Sequence, residues 1–397
     1  MKKIWATVFI LFLTTALYSQ QALWGNQDIT SPEINSDGTV TFRIQAPEVG
    51  KVQITGDFLP SQKADTPFGP SDAPGVADLV KGDKGIWEYK TPVPLAPELY
   101  SYSFIIDGLK TTDPNNVYMI RDVASVTNVF LIRGGRADLY KVNQVPHGTV
   151  SRRWYSSPKL NMERRLTIYT PPGYENSSKR YPVFYLLHGM GGDEEAWIAL
   201  GRTAQILDNL IAKGKAEPMI VVMTNGNVSQ EAAPGESSLG FYKPTMQLPK
   251  TMEGSMEQSF PDVVSFVDHD YRTLKSKQGR AIAGLSMGGY HALHISKEYP
   301  DMFDYIGLFS AAIMPDKRVS SPVYQNMDEK LKVQFSKKPK LYWIAIGKTD
   351  FLYKANEDYR KLLDERRYPY VYRESEGGHI WRNWRIYLTE FAPLLFR

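Results

Sequence analysis

Residues 280–296 read "RAIAGLSMGGYHALHIS". An apolar run climbs to a serine flanked by glycines, and the chain beyond it switches to helical spacing. Small residues at such a junction can serve packing alone, because they let a strand and a helix meet closely. The second reading is chemical. In G-x-S-x-G the serine occupies a sharp strand-to-helix turn that lifts its hydroxyl above the sheet, and the glycines leave room for the turn. Gly284, Ser286, Gly288 and Gly289 fit that spacing, which makes Ser286 a candidate nucleophile. The chemistry then requires a base, a carboxylate and an oxyanion hole in a workable order.

The flanking segments set the fold class. "RRLTIYTPPGY", "YPVFYLLHG", "PMIVVMTNG", "RAIAGLS", "DYIGLFSA", "KLYWIAIGKTD" and "PYVYRESEGGH" read as strands. Several are nearly continuous apolar runs, as strands buried on both faces of a parallel sheet are. Helical patterns such as "DEEAWIALGRTAQILDNLIAKG", "MEQSFPDVVSFVDHDYRT" and "NEDYRKLLDERR" lie between them. The alternation predicts an α/β domain over residues 151–397 with helices on both faces. Residues 25–133 differ. "GTVTFRIQAP", "GKVQITGDF", "GIWEYKTPVPL", "LYSYSFIIDG" and "ASVTNVFLI" are short β-branched and aromatic runs. Their alternation predicts an all-β, immunoglobulin-like sandwich. "PSQKADTPFGPSDAPGVADLVKGDKG" reads as a long turn-rich loop, and residues 134–150 as a connector.

The 397 residues suit two or three domains, and 42% hydrophobic content is enough for large cores. The opening "MKKIWATVFILFLTTALYSQQ" has the form of a secretory signal over residues 1–20: Lys2 and Lys3, an apolar core from Ile4 to Tyr18, then a polar break. The core is short for a membrane anchor, so the expected location is periplasmic or secreted, free of the membrane once the signal is cleaved. Losing Lys2 and Lys3 lowers the formal charge from +4 to +2, too little to argue for nucleic acid. The chain has no cysteine, which excludes disulfides, thiolate metal sites and a cysteine nucleophile.

Six histidines make elimination of bases practical. His147 lies in the connector and His269 in a helix. His291 and His294 follow the serine on its own helix and point away from it. His188 precedes Gly189 at the end of a buried strand. His379, in "SEGGHIWRNW", follows the last strand on a glycine-rich loop. Loops after parallel strands gather at the carboxyl edge of the sheet, where Ser286 also sits. His379 is therefore the candidate base. Asp350 ends the strand "LYWIAIGKTDF" and is the candidate acid. Asp316 and Asp328, in a polar loop, are the competitors. The order Ser286, Asp350, His379 is that of α/β-hydrolases.

The oxyanion donors expected are the N–H groups of Met287, after the serine, and Met190, in "YLLHGMGGDEEAW", with Gly189 second. Asp193, Glu194 and Glu195 read as the acidic start of a helix. Trp197, Phe351 and Trp381 are candidates for the substrate slot. The long segment after Asn227 offers Phe241, Tyr242, Met246, Met252 and Met256. No H-E-x-x-H, P-loop or dinucleotide fingerprint is present, so neither metal nor cofactor is expected.

Together, "YLLHGMGGDEEAW", "AIAGLSMGG", "IGKTDF" and "GGHIWRNWR" resemble the esterase D superfamily, and more narrowly the bacterial feruloyl and acetylxylan esterases of carbohydrate esterase family one. Enterochelin esterases share that core. The resemblance covers residues 149–397. "GIWEYKTPVPLAPELYSYSFIIDG" and "TTDPNN" resemble the family 48 carbohydrate-binding module, except that Pro97 and Glu98 stand where that family often has a glycine. Trp87, Tyr100 and Tyr102 alternate as core residues do. The resemblance implies an exported serine esterase that removes feruloyl groups from xylan. Acetylxylan and siderophore esterases are the near rivals. A non-catalytic glycan-binding protein is the rival from another class.

Overall fold

The computed structural model describes residues 29–66, 69–246, 248–313 and 319–397. The signal expected over residues 1–20 and the competing acid Asp316 lie outside them.

The N-terminal domain consists of two antiparallel sheets facing one core. One sheet runs Glu33–Ile34, Val40–Gln45, Ile86–Lys90, Val80–Lys81. The other runs Met119–Asp122, Ser125–Leu131, Leu99–Ile106, Val52–Gly56, Gly75–Asp78. Strand alternation sets the inner faces: Val52, Ile54 and Gly56 are buried while Gln53 and Thr55 are not fully so. Phe42, Trp87, Tyr100, Tyr102, Phe104 and Phe130 fill the space between the sheets. The stretch read as a loop contains strands instead: Gly75–Asp78 and Val80–Lys81 join the two sheets, and Gln62–Thr66 pairs with Gly69–Ala73 as a separate two-stranded ribbon. Its glycine, proline and aspartate content carries little β propensity, so main-chain pairing and contacts to the second domain decide its conformation.

The C-terminal domain is built on one eight-stranded sheet. Its order is Thr149–Ser157, Met162–Thr170, Ile220–Thr224, Val183–Leu187, Arg280–Leu285, Tyr305–Phe309, Leu341–Gly347, Val371–Ser375. The first two strands are antiparallel to their neighbours, and from Ile220–Thr224 onward all pairs are parallel. Val183–Leu187, Ile220–Thr224 and Tyr305–Phe309 are buried at every position, which is why they read as unbroken apolar runs. Their side chains still alternate between two cores. Tyr185, Ile282, Ile306 and Ile344 meet Phe260 and Leu293 on one face. Phe184, Ala283, Tyr305 and Trp343 meet Leu207, Leu388 and Phe391 on the other. No described helix is long and apolar enough to cross a membrane.

A buried ion pair joins the domains. Arg385, on the last helix Trp381–Phe391, donates to Glu98 Oε1 through Nε at 3.2 Å and Nη2 at 3.0 Å. It also donates to the carbonyls of Leu99 and Leu200. Both side chains are under a tenth exposed. Glu98 thus has a structural role. The connector docks beside it, with buried Tyr140 beneath the Arg385 guanidinium at 5.5 Å.

Removing one partner of such a pair strands the other charge away from water. Glu98→Ala should lower unfolding free energy by about 3–5 kcal/mol in urea titrations, and replacing both residues by leucine and methionine should recover most of it. A loss below about 1 kcal/mol for Glu98→Ala would show that the pair does not hold the seam.

Candidate active site

Ser286 joins the strand Arg280–Leu285 to the helix Met287–Glu298. Its backbone sits at φ 53° and ψ −115°, a region L-residues avoid at a cost of about 1–3 kcal/mol. Three hydrogen bonds hold it there. Ser286 N–H donates to the Phe309 carbonyl at 2.9 Å, and its carbonyl accepts from Tyr290 and Ala312 N–H, both at 3.0 Å. Close approach explains the glycines. A Cβ on Gly284 would lie 2.3 Å from the Gly288 carbonyl carbon, and one on Gly288 would lie 2.4 Å from Leu187 O. The Met287 N–H opens the helix and has no carbonyl within it to bond.

Asp350 follows Leu341–Gly347, and its carboxylate is fully buried. Oδ2 accepts from His379 Nδ1 at 2.9 Å, and Oδ1 accepts from Leu352 N–H at 2.9 Å. This bond leaves the lone pair of neutral His379 on Nε2, the tautomer a base needs. Phe351 packs against the imidazole at 4.6 Å between ring centroids, and Trp384 at 5.0 Å. Ser286, Asp350 and His379 all leave the carboxyl ends of parallel strands on one edge of the sheet. Among the described residues the structure joins His379 to Asp350 but draws no hydrogen bond from Ser286 to His379. Such contacts commonly tighten when substrate binds. Asp328 is exposed and pairs with Arg366 at 3.1 Å.

Met190 lies on the loop after Val183–Leu187. A Cβ on its neighbour Gly189 would lie 3.4 Å from Ser286 Cβ, which sets this loop against the serine. The acidic residues behind it lead into a helix, with Glu195 at its N-cap, and also make long-range ion pairs. Glu194 is fully buried, pairs with Arg165 at 2.7 Å, and accepts from Asn225 Nδ2 and Ala233 N–H. Glu195 takes Arg152 at 2.7 Å and Arg165 at 3.1 Å. The helix itself runs in two pieces, Ala196–Ala199 and Thr203–Ala212. Burial therefore converts the acidic run into a brace between the loop and the strand Met162–Thr170. Arg165, buried in the strand Met162–Thr170, was the sequence signal for that brace.

The esterase family model matches residues 157–395. The chain belongs to the esterase family. A curated relative, the endo-1,4-beta-xylanase/feruloyl esterase of Xylanibacter ruminicola, is 29% identical over 296 residues, covering 73% of this chain and 37% of that protein. The chain thus spans little more than a third of that relative's length. A solved ferulic acid esterase is 26% identical with a TM-score of 0.51, covering 62% of this chain and 97% of that one. The enterobactin esterase of Shigella flexneri is 16% identical with a TM-score of 0.61, covering 90% of this chain and 93% of that one. That last likeness concerns the fold alone.

Of the esterase's three expected slot residues, Trp197 is placed elsewhere. It is 1% exposed, donates from Nε1 to Leu187 O at 2.9 Å, and packs on Phe309 and Trp381. It is a core residue beneath the site, not a ligand contact. Phe351 is 36% exposed beside His379. Trp381 is half-buried, edge-on to Trp197 and Trp384. On the long segment after Asn227, Phe241 is almost fully exposed, and Met246 Sδ approaches Gly191. Among the described residues no cluster of three or more histidines and carboxylates could hold a metal.

His188 shapes the 189–193 loop from within. It is 2% exposed, donates from Nδ1 to Gly189 O at 2.7 Å and accepts Gly226 N–H at Nε2 at 2.8 Å. Burial pushes its pKa down to about 4. The unfolded chain, with an ordinary value near 6.5, takes up a proton that the native state refuses. The stability from neutral His188 is complete above pH ~6.5 and is lost as pH falls towards 4, by roughly 3 kcal/mol. Denaturant titrations at several pH values should show this slope in the wild type and a flatter one in His188→Gln. Identical slopes would contradict it.

Proposed function

We propose that this esterase is an exported serine carboxylic ester hydrolase that removes feruloyl groups from arabinoxylan. Ser286 Oγ attacks the ester carbonyl as His379 Nε2 takes its proton. Asp350 holds the imidazole in the required tautomer and stabilises its cationic form. The N–H groups of Met190 and Met287 receive the oxyanion, each worth about 3 kcal/mol in the transition state. His379 gives the proton to the sugar oxygen as its bond to the acyl carbon breaks, so the sugar leaves as an alcohol and ferulate stays on Ser286 as an ester. Water, activated by the same histidine, then releases the ferulate. Protein groups and water suffice for each step.

The acyl assignment rests on one observation: Phe351 lies partly exposed against the base, at 4.6 Å from the His379 ring. A flat hydroxycinnamoyl group gains from such a wall, by up to about 1.5 kcal/mol beyond its buried area, whereas an acetyl group is too small to use it. The feruloyl esterase named among the relatives supports the same reading. The xylan part of the reading is supported by that relative's name, and the periplasmic or secreted location is proposed from the leader-like residues 1–20.

The test is kcat/KM for methyl ferulate against an aryl acetate of matched leaving-group reactivity, with release of ferulate and acetate from native xylan. Ferulate should be preferred in both assays, and Ser286→Ala should lower kcat by about 10⁵–10⁶-fold. A preference for acetate supports the acetylxylan reading. Turnover confined to catechol-type esters supports the siderophore reading. Binding of xylan with no ester hydrolysis at all leaves a glycan-binding protein.

A further inference from the structure

The oxyanion loop is gripped from outside its own domain. The sandwich strands Met119–Asp122 and Ser125–Leu131 form a tight hairpin, with Val123 in its turn. Val123 has φ 52°, the left-handed region that a β-branched residue rarely adopts. Strain of this kind persists where surrounding contacts over-determine the conformation, and here those contacts lead to the active site. A Cβ on Gly191 would lie 2.7 Å from Val123 Cγ1 and 2.9 Å from Cγ2, so the isopropyl group rests against the loop backbone. Gly191 itself has φ +78° and tolerates no side chain there.

Arg121 ties hairpin and loop together. Nη1 donates to the Val123 carbonyl at 3.1 Å, and Nη2 pairs with the Asp193 carboxylate. Asp193 is 3% exposed, and its other oxygen accepts Glu195 N–H at 3.0 Å. The loop is thus held between two domains, with Gly189 facing Ser286 and Gly191 facing Val123. A second sandwich hairpin touches the acid loop, where Thr349 Oγ1 donates to Asp72 Oδ2 at 2.7 Å beside Asp350.

We propose that Arg121 and Val123 are positioning residues for ester hydrolysis: the sandwich hairpin holds the 189–193 loop so that its N–H groups stay aimed at the oxyanion above Ser286. The inference rests on the serine-esterase reading. It gives the N-terminal domain a part in the chemical step, separate from any hold on a polymer. An oxyanion hole acts by preorganisation, and a displacement of about 1 Å can cost 10²-fold. The oxyanion exists only in the transition state, so loosening the loop lowers kcat and leaves KM in place.

The experiment uses the full chain and a small aryl ester that the wild type hydrolyses. Arg121→Ala and Val123→Gly should each lower kcat by about fivefold or more with KM within about twofold, and the midpoint of the pH–rate profile should not move. Arg121→Lys should recover part of the loss, because it keeps a cation for Asp193. Glycine relieves the strained φ, so Val123→Gly should melt no lower than the wild type while turning over more slowly. A Val123→Gly protein that is folded and within fivefold of wild-type kcat overturns the proposal, as does a defect seen only on polymeric xylan. Ser286→Ala in the same assay separates the two ideas. If it remains active, the serine-esterase reading fails. If it is inactive beside a fully active Val123→Gly, only the positioning role fails.

Discussion

The strained turn at Ser286 is the constraint on which the site depends. Its backbone cannot relax towards ordinary φ values without giving up bonds to three separate elements: the end of Tyr305–Phe309, the first turn of Met287–Glu298, and the loop at Ala312. Two of these are products of the completed sheet. The elbow therefore forms only when the parallel strands are in register, and the geometry of Ser286 is secured by the whole domain. Gly284 and Gly288 make the close packing possible, because any side chain at either would collide with backbone. The same tight junction brings the Met287 N–H to the edge of the sheet beside Ser286.

Around that rigid centre the flexible parts are held by charge. Asp350 is buried against His379, and the 189–193 loop is braced by Glu194 and Glu195 on Arg165 and Arg152, and by Asp193 on Arg121. Arg385 and Glu98 do the same at the seam between domains. Each of these carboxylates has a hydrogen-bonded cationic or imidazole partner, the arrangement in which burial of charge is tolerated. Such pairs contribute more to fixing one arrangement than to raw stability. Their concentration near the site fits a scaffold that must keep N–H groups and an imidazole pointed at one small volume.

Much of this was legible in the sequence, for reasons that also explain what was not. Parallel strands buried on both faces are uniformly apolar, so Val183–Leu187 and Ile220–Thr224 declared themselves. The alternation in Val52–Gly56 marked the sandwich in the same way. His379 and Asp350 emerged by elimination because few histidines compete and because strand ends converge on one edge. Side-chain facing was not legible. Trp197 and Phe351 both neighbour a site motif, yet one packs under the sheet's last helix and the other lies partly exposed against His379. The acidic run 193–195 read as a helix start alone because its arginine partners are distant in sequence. Glu98 and Arg385 are separated by 287 positions, beyond any local pattern. The strand sequences QKADT (62–66) and GPSDA (69–73) lack the alternating apolar residues that would announce them.

The central claim is that the elbow serine is an activated nucleophile, driven by His379 on Asp350. It is tested most directly by covalent trapping with diethyl p-nitrophenyl phosphate, followed by intact mass and tryptic mapping. The account predicts one adduct per chain, located on Ser286 within the peptide Ala281–Lys297. Labelling should be absent in Ser286→Ala and slower by about 100-fold or more in His379→Ala. Labelling of a different side chain, or labelling of Ser286 at an undiminished rate without His379, would contradict it.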